Sequence, residues 1–212
     1  METRSIAIDI LSDVVCPWCA IAYKRLSLAI RQAELEDDTV IRWHPFELNP
    51  QMPAAGENLR QHLAGKYGTT LNGSIEARKR IAQLGKEVGF SFDYFDEMKM
   101  FNTREAHLLL QWAAPLGRQN ALAEALFAAY FSKRQDISDS ATLLKLVEVV
   151  GLDPLAAAEV LQDPAHVTAL EQAEQRWLSQ GFRGVPAIVI GGKELLSGAQ
   201  ETATYLHALQ TL

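Results

Sequence analysis

Cysteine is scarce in this 212-residue sequence, which contains only two. Folds that depend on disulfides carry many more, and a chain of this length can bury a stable core without disulfides or structural metals. No apolar run approaches the roughly 18 residues that cross a bilayer, so no transmembrane helix is predicted. The hydrophobic fraction of 48% and the charged fraction of 22% exclude a disordered or collagen-like chain.

Positive charge is also in short supply. The sequence has 20 Lys and Arg residues against 26 Asp and Glu residues, a formal net charge of −6. An acidic chain without a basic cluster is a poor partner for nucleic acids or anionic membranes, and neither partner is predicted. The longest basic run, Arg78-Lys79-Arg80, is interpreted as the solvated face of a helix.

The N-terminal segment lacks the features of a secretory signal. Met1–Val15 begins with the acidic Glu2, and Asp9 and Asp13 interrupt its apolar stretch. Secretory signals have a basic start and an uninterrupted apolar centre. We therefore expect a cytoplasmic protein, in a compartment where thiols are kept reduced and structural disulfides are rare.

The two cysteines form one short motif, Cys16-Pro17-Trp18-Cys19. In a cytosolic protein, a C-x-x-C beside a strand-to-helix pattern indicates a thioredoxin-like redox pair. The alternative is half of a zinc site, which needs further ligands at short spacing. The histidines are not paired in this way; they are His44, His62, His107, His166 and His207. The motif therefore favours a redox pair, and no metal is predicted.

Hydrophobic periodicity predicts a βαβ unit at the start of the chain. Ser5–Leu11 alternates like a strand, Pro17–Glu34 carries one apolar helical stripe, and Thr39–Phe46 predicts a second strand. A crossover of this kind is nearly always right-handed, and it makes the two strands parallel.

The middle of the chain has the period of helices. After Pro53 the hydrophobic period changes from two to 3.6, which predicts an all-helical insertion over residues 51–180. Its helices are predicted to begin near Glu57, Ser74, Asn102, Ala121, Ser138, Asp153 and Asp163. Asn102 followed by Glu105 resembles a capping box, and Gly181 suits a left-handed C-cap.

Strand signals return near the C-terminus. Val185–Ile190 and Glu194–Ser197 are joined by Gly191-Gly192, a hairpin turn, and Gln200–Leu212 predicts a closing helix. The order of elements predicts an α/β protein with a thioredoxin-like fold and a large helical insertion. Residues 1–50 and 181–212 would form the thioredoxin-like domain around the insertion.

Several segments resemble the DsbA-like superfamily, and within it the FrnE-type dithiol–disulfide oxidoreductases. They occur in order along nearly the whole chain: Ser12–Cys19 (SDVVCPWC), Trp43–Pro53 (WHPFELNPQMP), Asn102–His107, Gly184–Pro186 and Ser197–Gln200. This ordered series of segments indicates the family far more specifically than a single C-x-x-C motif would. The resemblance implies the same DsbA-like fold and a disulfide-exchange activity.

The position of the motif assigns a role to each cysteine. Pro17 belongs at the first helical position, so Cys16 is predicted to cap the helix and Cys19 to lie in its first turn. Free N–H groups and the helix dipole would stabilise the Cys16 thiolate, the form that attacks disulfides. Cys19 is expected to be shielded, with a higher pKa. Cys16 would form the mixed disulfide and Cys19 would resolve it.

The resemblance implies further site residues. Pro186 would be cis and pack against the C-x-x-C, which leaves the Val185 backbone free to pair with an extended substrate; from its residues alone, Pro186 would be a strand-start proline. Trp18 could be a core aromatic, but as a spacer between two cysteines at a helix start it is expected, from position alone, to be partly exposed and to shape the substrate groove. Other residues of these segments are candidates to line the cleft: His44, Asn49, Asn102 and His107.

Three of the candidate residues also have a structural interpretation. A core histidine is the commoner role for His107 on an apolar helix face, and Asn102 is first a helix cap. Asp13 is interpreted as a solvated turn residue, in preference to a proton relay to Cys19.

These residues predict a thiol–disulfide oxidoreductase or isomerase that acts on protein or small-molecule thiols and disulfides. The cysteine pair is itself the redox group, so no cofactor is predicted, and glutathione is a candidate redox partner. The main alternative is a glutathione-dependent isomerase or transferase of the kappa class, similar to 2-hydroxychromene-2-carboxylate isomerase, in which Ser typically replaces Cys16. A chaperone-like binding module is the non-enzymatic alternative.

Overall fold

The computed structural model describes residues 5–212. The strands are β1 (Ile6–Ser12), β2 (Thr39–Pro45), β3 (Glu57–Asn58), β4 (Lys99–Met100), β5 (Ala187–Ile190) and β6 (Glu194–Ser197). The helices are α1 (Pro17–Gln32), α2 (Leu59–Tyr67), α3 (Leu71–Glu87), α4 (Arg104–Ala113), α5 (Gln119–Phe127), α6 (Ser140–Val149), α7 (Pro154–Gln162), α8 (Pro164–Ser179) and α9 (Thr202–Gln210). A five-residue π-helical turn, Ala128–Ser132, continues α5.

A four-stranded sheet in the order β2-β1-β5-β6 forms the centre of the fold. β1 and β2 are parallel, as predicted for the βαβ unit, and the other neighbours are antiparallel. Ile8 and Ile10 of β1 are completely buried, because helices and two neighbouring strands surround this strand. α1 packs against α9, whereas α4, α5 and α8 contact β2. The predicted α/β class with its helical insertion is confirmed.

The insertion is not entirely helical, which corrects the expectation of uninterrupted helical periodicity. Glu57 does not begin a helix: β3 pairs with β4 as a short antiparallel ladder. α2 begins two residues later because Asn58 is its cap, with a side-chain oxygen that accepts from the N–H groups of Arg60 and Gln61. A two-residue strand is too short to leave a period in the sequence.

The predicted capping box at Asn102 does not form. The Asn102 side chain does accept from the Arg104 N–H at 3.0 Å, as a cap residue would. Glu105 does not reach back to the helix start, because its carboxylate accepts instead from the Ser140 hydroxyl at 2.9 Å. A contact with a residue far along the chain therefore replaces the local reciprocal bond.

Other helix ends follow local signals. Asp153 and Asp163 cap α7 and α8, each followed by a first-turn proline as predicted. Gly181 after α8 has a φ of 94°, so the predicted left-handed cap is confirmed. Gly191 and Gly192 also have positive φ values, as the tight turn between β5 and β6 requires.

One continuous cluster of buried apolar side chains extends from the sheet into the helices of the middle segment. The division into a thioredoxin-like domain (1–50 and 181–212) and an insertion domain (51–180) stays a prediction. Within residues 5–212, every helix is too short or too polar to cross a bilayer.

Candidate active site

The two cysteines lie at the N-terminus of α1. Cys16 is the N-cap residue, with an extended backbone (φ −89°, ψ 111°), and Pro17 follows in the first turn. The Cys19 N–H donates to the Cys16 carbonyl at 3.1 Å, so the two residues close one turn. Both are free thiols. The predicted positions of the motif at the helix start are confirmed, and they place the positive end of the helix dipole beside Cys16.

The two sulfurs have different surroundings. Cys19 is completely buried at 0% exposure, whereas Cys16 retains 5%. Burial raises the pKa of Cys19 well above that of an ordinary thiol, and the hydrogen bond and charge of Cys16 raise it further. The side chain of Ser12 and the backbone of Asp13 oppose this shift without reversing it. Cys19 therefore keeps its proton at neutral pH, as predicted, and Cys16 is the sulfur with access to solvent.

Cys16 faces the backbone that precedes β5. The Val185–Pro186 peptide bond is cis, as the resemblance implied. The Cys16 sulfur lies 4.0 Å from the Val185 carbonyl oxygen, although the two residues are 169 positions apart. The chain thus brings the predicted nucleophile, its resolving partner and the cis proline loop together at one end of the sheet.

A cavity of about 320 Å³ opens beside Cys16. Its lining includes four of the predicted site residues: Cys16, Trp18, Asn49 and Val185. Trp18 is 37% exposed, which confirms the expected partial exposure. α2, α3 and the π-helical turn supply much of the remaining lining. The volume is at the lower end of the range found for small-molecule sites.

Asn49 links the two sides of this cavity. Its side-chain oxygen accepts from the Lys66 ammonium at 2.6 Å, and the His62 ring nitrogen Nε2 lies 3.0 Å from the same oxygen. Lys66 also donates to the Leu48 carbonyl at 2.8 Å. Because His62 and Lys66 belong to α2, these bonds fasten α2 to the segment that follows β2.

Comparison with known proteins places this geometry in a family. The DSBA-like thioredoxin domain matches residues 7–210 of the chain. The chain belongs to this family. The match spans the cysteine motif, the helices between β2 and β5, and the Val185–Pro186 bond. The narrower FrnE-type assignment stays a prediction.

Similar proteins come from several bacteria. A probable DsbA oxidoreductase of Streptomyces coelicolor is 26% identical, with 97% of this chain and 89% of that chain covered and a TM-score of 0.90. The uncharacterised YwbO of Bacillus subtilis is 25% identical over 201 residues, 88% of each chain. The cytosolic disulfide reductase DsbM of Pseudomonas aeruginosa, at 19% identity with 97% of each chain covered and a TM-score of 0.67, shares the fold.

Three of the four residues predicted to line the cleft, Asn102, His107 and His44, lie outside the lining of the cavity. Asn102 donates to the Met52 carbonyl at 3.1 Å in addition to holding the start of α4. His107 is buried within α4, and its Nε2 lies 3.4 Å from a carboxylate oxygen of Asp13 without hydrogen-bond geometry. His44 pairs with Asp9 at 2.7 Å. Substrate contact by Asn102 and His107 therefore stays a prediction.

Asp13 is not a solvated turn residue. It is completely buried, and its carboxylate accepts from the Leu48 N–H at 2.7 Å and from the Val15 N–H at 3.5 Å. The turn that it begins is closed by a bond from the Cys16 N–H to the Asp13 carbonyl at 3.0 Å. The predicted solvated position is wrong because the strand before Asp13 ends inside the molecule.

Glu47 was missed as a buried charged residue. Its carboxylate lies 3.2 Å from the Arg104 guanidinium, but the angle is not that of a hydrogen bond. Burial raises the pKa of Glu47, and the charge of Arg104 acts in the opposite direction. No pattern in the sequence distinguishes this residue from an exposed glutamate.

Arg78 and Ser74 were missed as residues of the cavity. The run Arg78-Lys79-Arg80, predicted to be the solvated face of a helix, is exposed at Lys79 and Arg80. Arg78 instead lines the cavity with Ser74 and Ile81. These three residues have the four- and three-residue spacing of one helical face, which was the available signal.

Proposed function

We propose that this protein is a thiol–disulfide oxidoreductase in which Cys16 attacks and Cys19 resolves. The asymmetry of the pair carries the proposal: one sulfur belongs to the N-cap residue of α1 and lines a cavity, and its neighbour is completely buried with a raised pKa. In a pair of this kind, one sulfur attacks the substrate disulfide and the other later releases the substrate from the mixed disulfide. Membership in the DSBA-like family supports the general chemistry.

The reaction takes place in two exchanges. The Cys16 thiolate attacks one sulfur of a substrate disulfide, the substrate S–S bond breaks, and the other substrate sulfur leaves as a thiolate that takes a proton. Cys19 then loses its proton and attacks the Cys16 sulfur, which forms the Cys16–Cys19 disulfide and releases the second substrate thiolate. The substrate gains two electrons, and a thiol reductant such as glutathione returns two electrons to the protein.

We propose reduction or isomerisation as the working direction, in a cytoplasmic setting. The fold likeness to DsbM supports this choice, because DsbM is described as a cytosolic disulfide reductase and one of its structures contains glutathione. Protein and small-molecule disulfides are both within the proposed substrate range. The family resemblance of Ser12–Cys19 supports the FrnE-type subgroup.

Single-cysteine variants test the proposal. We expect Cys16→Ser to lose insulin reduction with glutathione as reductant, because the remaining thiol, Cys19, is completely buried and does not line the cavity. Cys19→Ser should instead accumulate a stable mixed disulfide, visible by intact-protein mass spectrometry as the protein plus one substrate thiol. Undiminished reduction by Cys16→Ser would contradict the proposed mechanism.

Glutathione binding distinguishes the kappa-class alternative. An isomerase of that type holds glutathione without a covalent bond, so calorimetric titration of Cys16→Ser with glutathione is informative. The oxidoreductase proposal predicts no tight binding, because the reaction requires only transient exchange with the thiol. Micromolar, non-covalent binding would favour the isomerase.

A further inference from the structure

The cavity beside Cys16 is largely apolar. Side chains from four segments contribute to this surface: Leu63, Ile81, Met100, Tyr130 and Phe131. Tyr130 and Phe131 belong to the π-helical turn, a type of distortion that is frequent at functional sites. An occupant of about 320 Å³ would therefore place an apolar or aromatic body against these walls.

The charge of the cavity is of one sign. Lys66 and Arg78 line it together with His62, and no acidic residue is part of its lining within residues 5–212. This contrasts with the chain as a whole, which has a formal net charge of −6. A positively charged, mostly apolar cavity in an acidic protein favours a ligand that combines a negative charge with apolar surface.

Arg78 has unused hydrogen-bonding capacity in this cavity. Its Nε and Nη2 atoms are buried and have no hydrogen-bond partner within residues 5–212. Its guanidinium lies 5.5 Å from the centre of the Tyr94 ring. Asp96, an acidic residue in its electrostatic surroundings, is paired with Arg60 at 2.5 Å. Two donors of one planar guanidinium suit a carboxylate, which accepts in bidentate fashion.

Ser74 provides a second, independent group. It is 4% exposed, lines the same cavity one helical turn before Arg78, and its hydroxyl has no partner in the described part of the chain. Buried polar atoms are normally paired, because an unpaired group loses its hydration without compensation. The hydroxyl and the guanidinium are thus two donors on one helical face.

We propose that Arg78 and Ser74 form a receptor for the carboxylate of a small, apolar or aromatic disulfide whose sulfur is presented to Cys16. The inference rests on the proposed function and names its substrate class. An extended peptide has a different surface available, an open depression of about 350 Å³ along Arg183, Val185 and Pro186. The cavity beside Cys16 is therefore assigned to the small molecule.

Two disulfides of nearly equal size test this selectivity. The first, 4,4′-dithiodibenzoate, carries carboxylates, and the second, 4,4′-dithiobis(benzamide), carries neutral amides. The readout is the ratio of their second-order rate constants with Cys16, measured by stopped flow in the Cys19→Ser background. We expect Arg78→Gln to lower this ratio about tenfold or more, and Ser74→Ala to lower it about two- to tenfold.

Arg80→Gln is the matched control, because it removes the same charge from an exposed position on the same helix. Its ratio should stay within about twofold of the parent value, since long-range electrostatics alone would act equally on both variants. A ratio that Arg78→Gln leaves unchanged while Cys16 still reacts would overturn the receptor and leave the oxidoreductase intact. Faster reaction with a disulfide-bonded peptide, insensitive to Arg78→Gln, would also overturn it.

A binding measurement separates the receptor from the redox chemistry. In Cys16→Ser, calorimetry with 4-(methylthio)benzoate and its benzamide counterpart reports recognition without disulfide exchange. Preferential binding of the benzoate, lost on adding Arg78→Gln and kept with Arg80→Gln, supports the receptor even if neither disulfide reacts with Cys16. Equal affinity for acid and amide would refute it. Circular dichroism of each variant confirms that the fold is retained.

Discussion

The two sides of the active-site cavity are built differently. α1, which begins directly after Cys16 and contains Cys19, has nine buried residues in a helix of 16, whereas α3, which carries Arg78, has three in a helix of 17. α1 contributes to the central core, and most of α3 is in contact with solvent. The comparison teaches that the cysteine pair is held by the part of the fold that is hardest to change, whereas the α3 side of the cavity can vary without loss of the core.

The largest expected effect is on the free energy of unfolding, when Leu→Ala is made in α1 and, for comparison, in α3. Leu26→Ala in α1 removes a completely buried side chain and should lower the free energy of unfolding by about 2–5 kcal/mol. Leu71→Ala in α3 removes a side chain that is 60% exposed and should change it by no more than about 0.5 kcal/mol. Urea denaturation of both variants measures the difference. Equal losses would show that the two sides are equally fixed.

A smaller effect is expected from two carboxylates. Asp13→Asn replaces a buried acceptor of two backbone N–H groups by an amide, and should destabilise the protein by about 1–3 kcal/mol. Asp96→Asn breaks an exposed ion pair to Arg60 of α2 and should cost less than about 1 kcal/mol. Thermal unfolding at neutral pH gives both values. If Asp13→Asn left the stability unchanged, the hydrogen bonds of Asp13 would not be what holds the loop before Cys16.

The smallest effect concerns the proton on Cys19. Because its pKa is raised mainly by burial, the folded state holds this proton more tightly than the unfolded state. The resulting stability is fully present below the unfolded-state pKa, near 9.0, and is lost as pH rises toward the folded-state pKa. In Cys16→Ser, the free energy of unfolding should therefore fall by up to about 1.4 kcal/mol per pH unit above that point.

The matched control for this titration is Cys16→Ser/Cys19→Ala. Tyrosines also titrate in alkaline solution, but they contribute equally to both variants, so the difference between the two curves isolates Cys19. A difference that stays constant between about pH 8 and about pH 10 would contradict the raised pKa of Cys19.

Features set by neighbouring residues could be predicted from the sequence. Pro17 after Cys16 fixes the helix start, Asp163 before Pro164 caps α8, and Gly191-Gly192 supplies the positive φ values of a tight turn. Each depends on the conformational preferences of two or three adjacent residues. The position of Pro186 beside Cys16 required the family resemblance, because nothing local in the sequence brings residues so far apart together.

Features set by distant contacts could not be predicted. Asp13 is buried because the segment after β2 covers it, and Leu48 provides its hydrogen bond. Glu105 turns away from its own helix start because Ser140 lies within reach. Arg78 differs from Arg80 only in the direction that α3 gives to its side chain. In each case, the burial and the partners of the side chain depend on how helices and strands pack, which cannot be inferred from the residue type alone.

The number of residues in the π-helical turn at Ala128–Ser132 directly affects the shape of the cavity. An α-helix advances roughly 100° per residue, so removing one residue here would restore a regular helix and swing Tyr130 and Phe131 away from the cavity. A single-residue deletion would thus remodel this wall of the cavity in one step, while every amino acid of the Cys16–Cys19 motif remained unchanged.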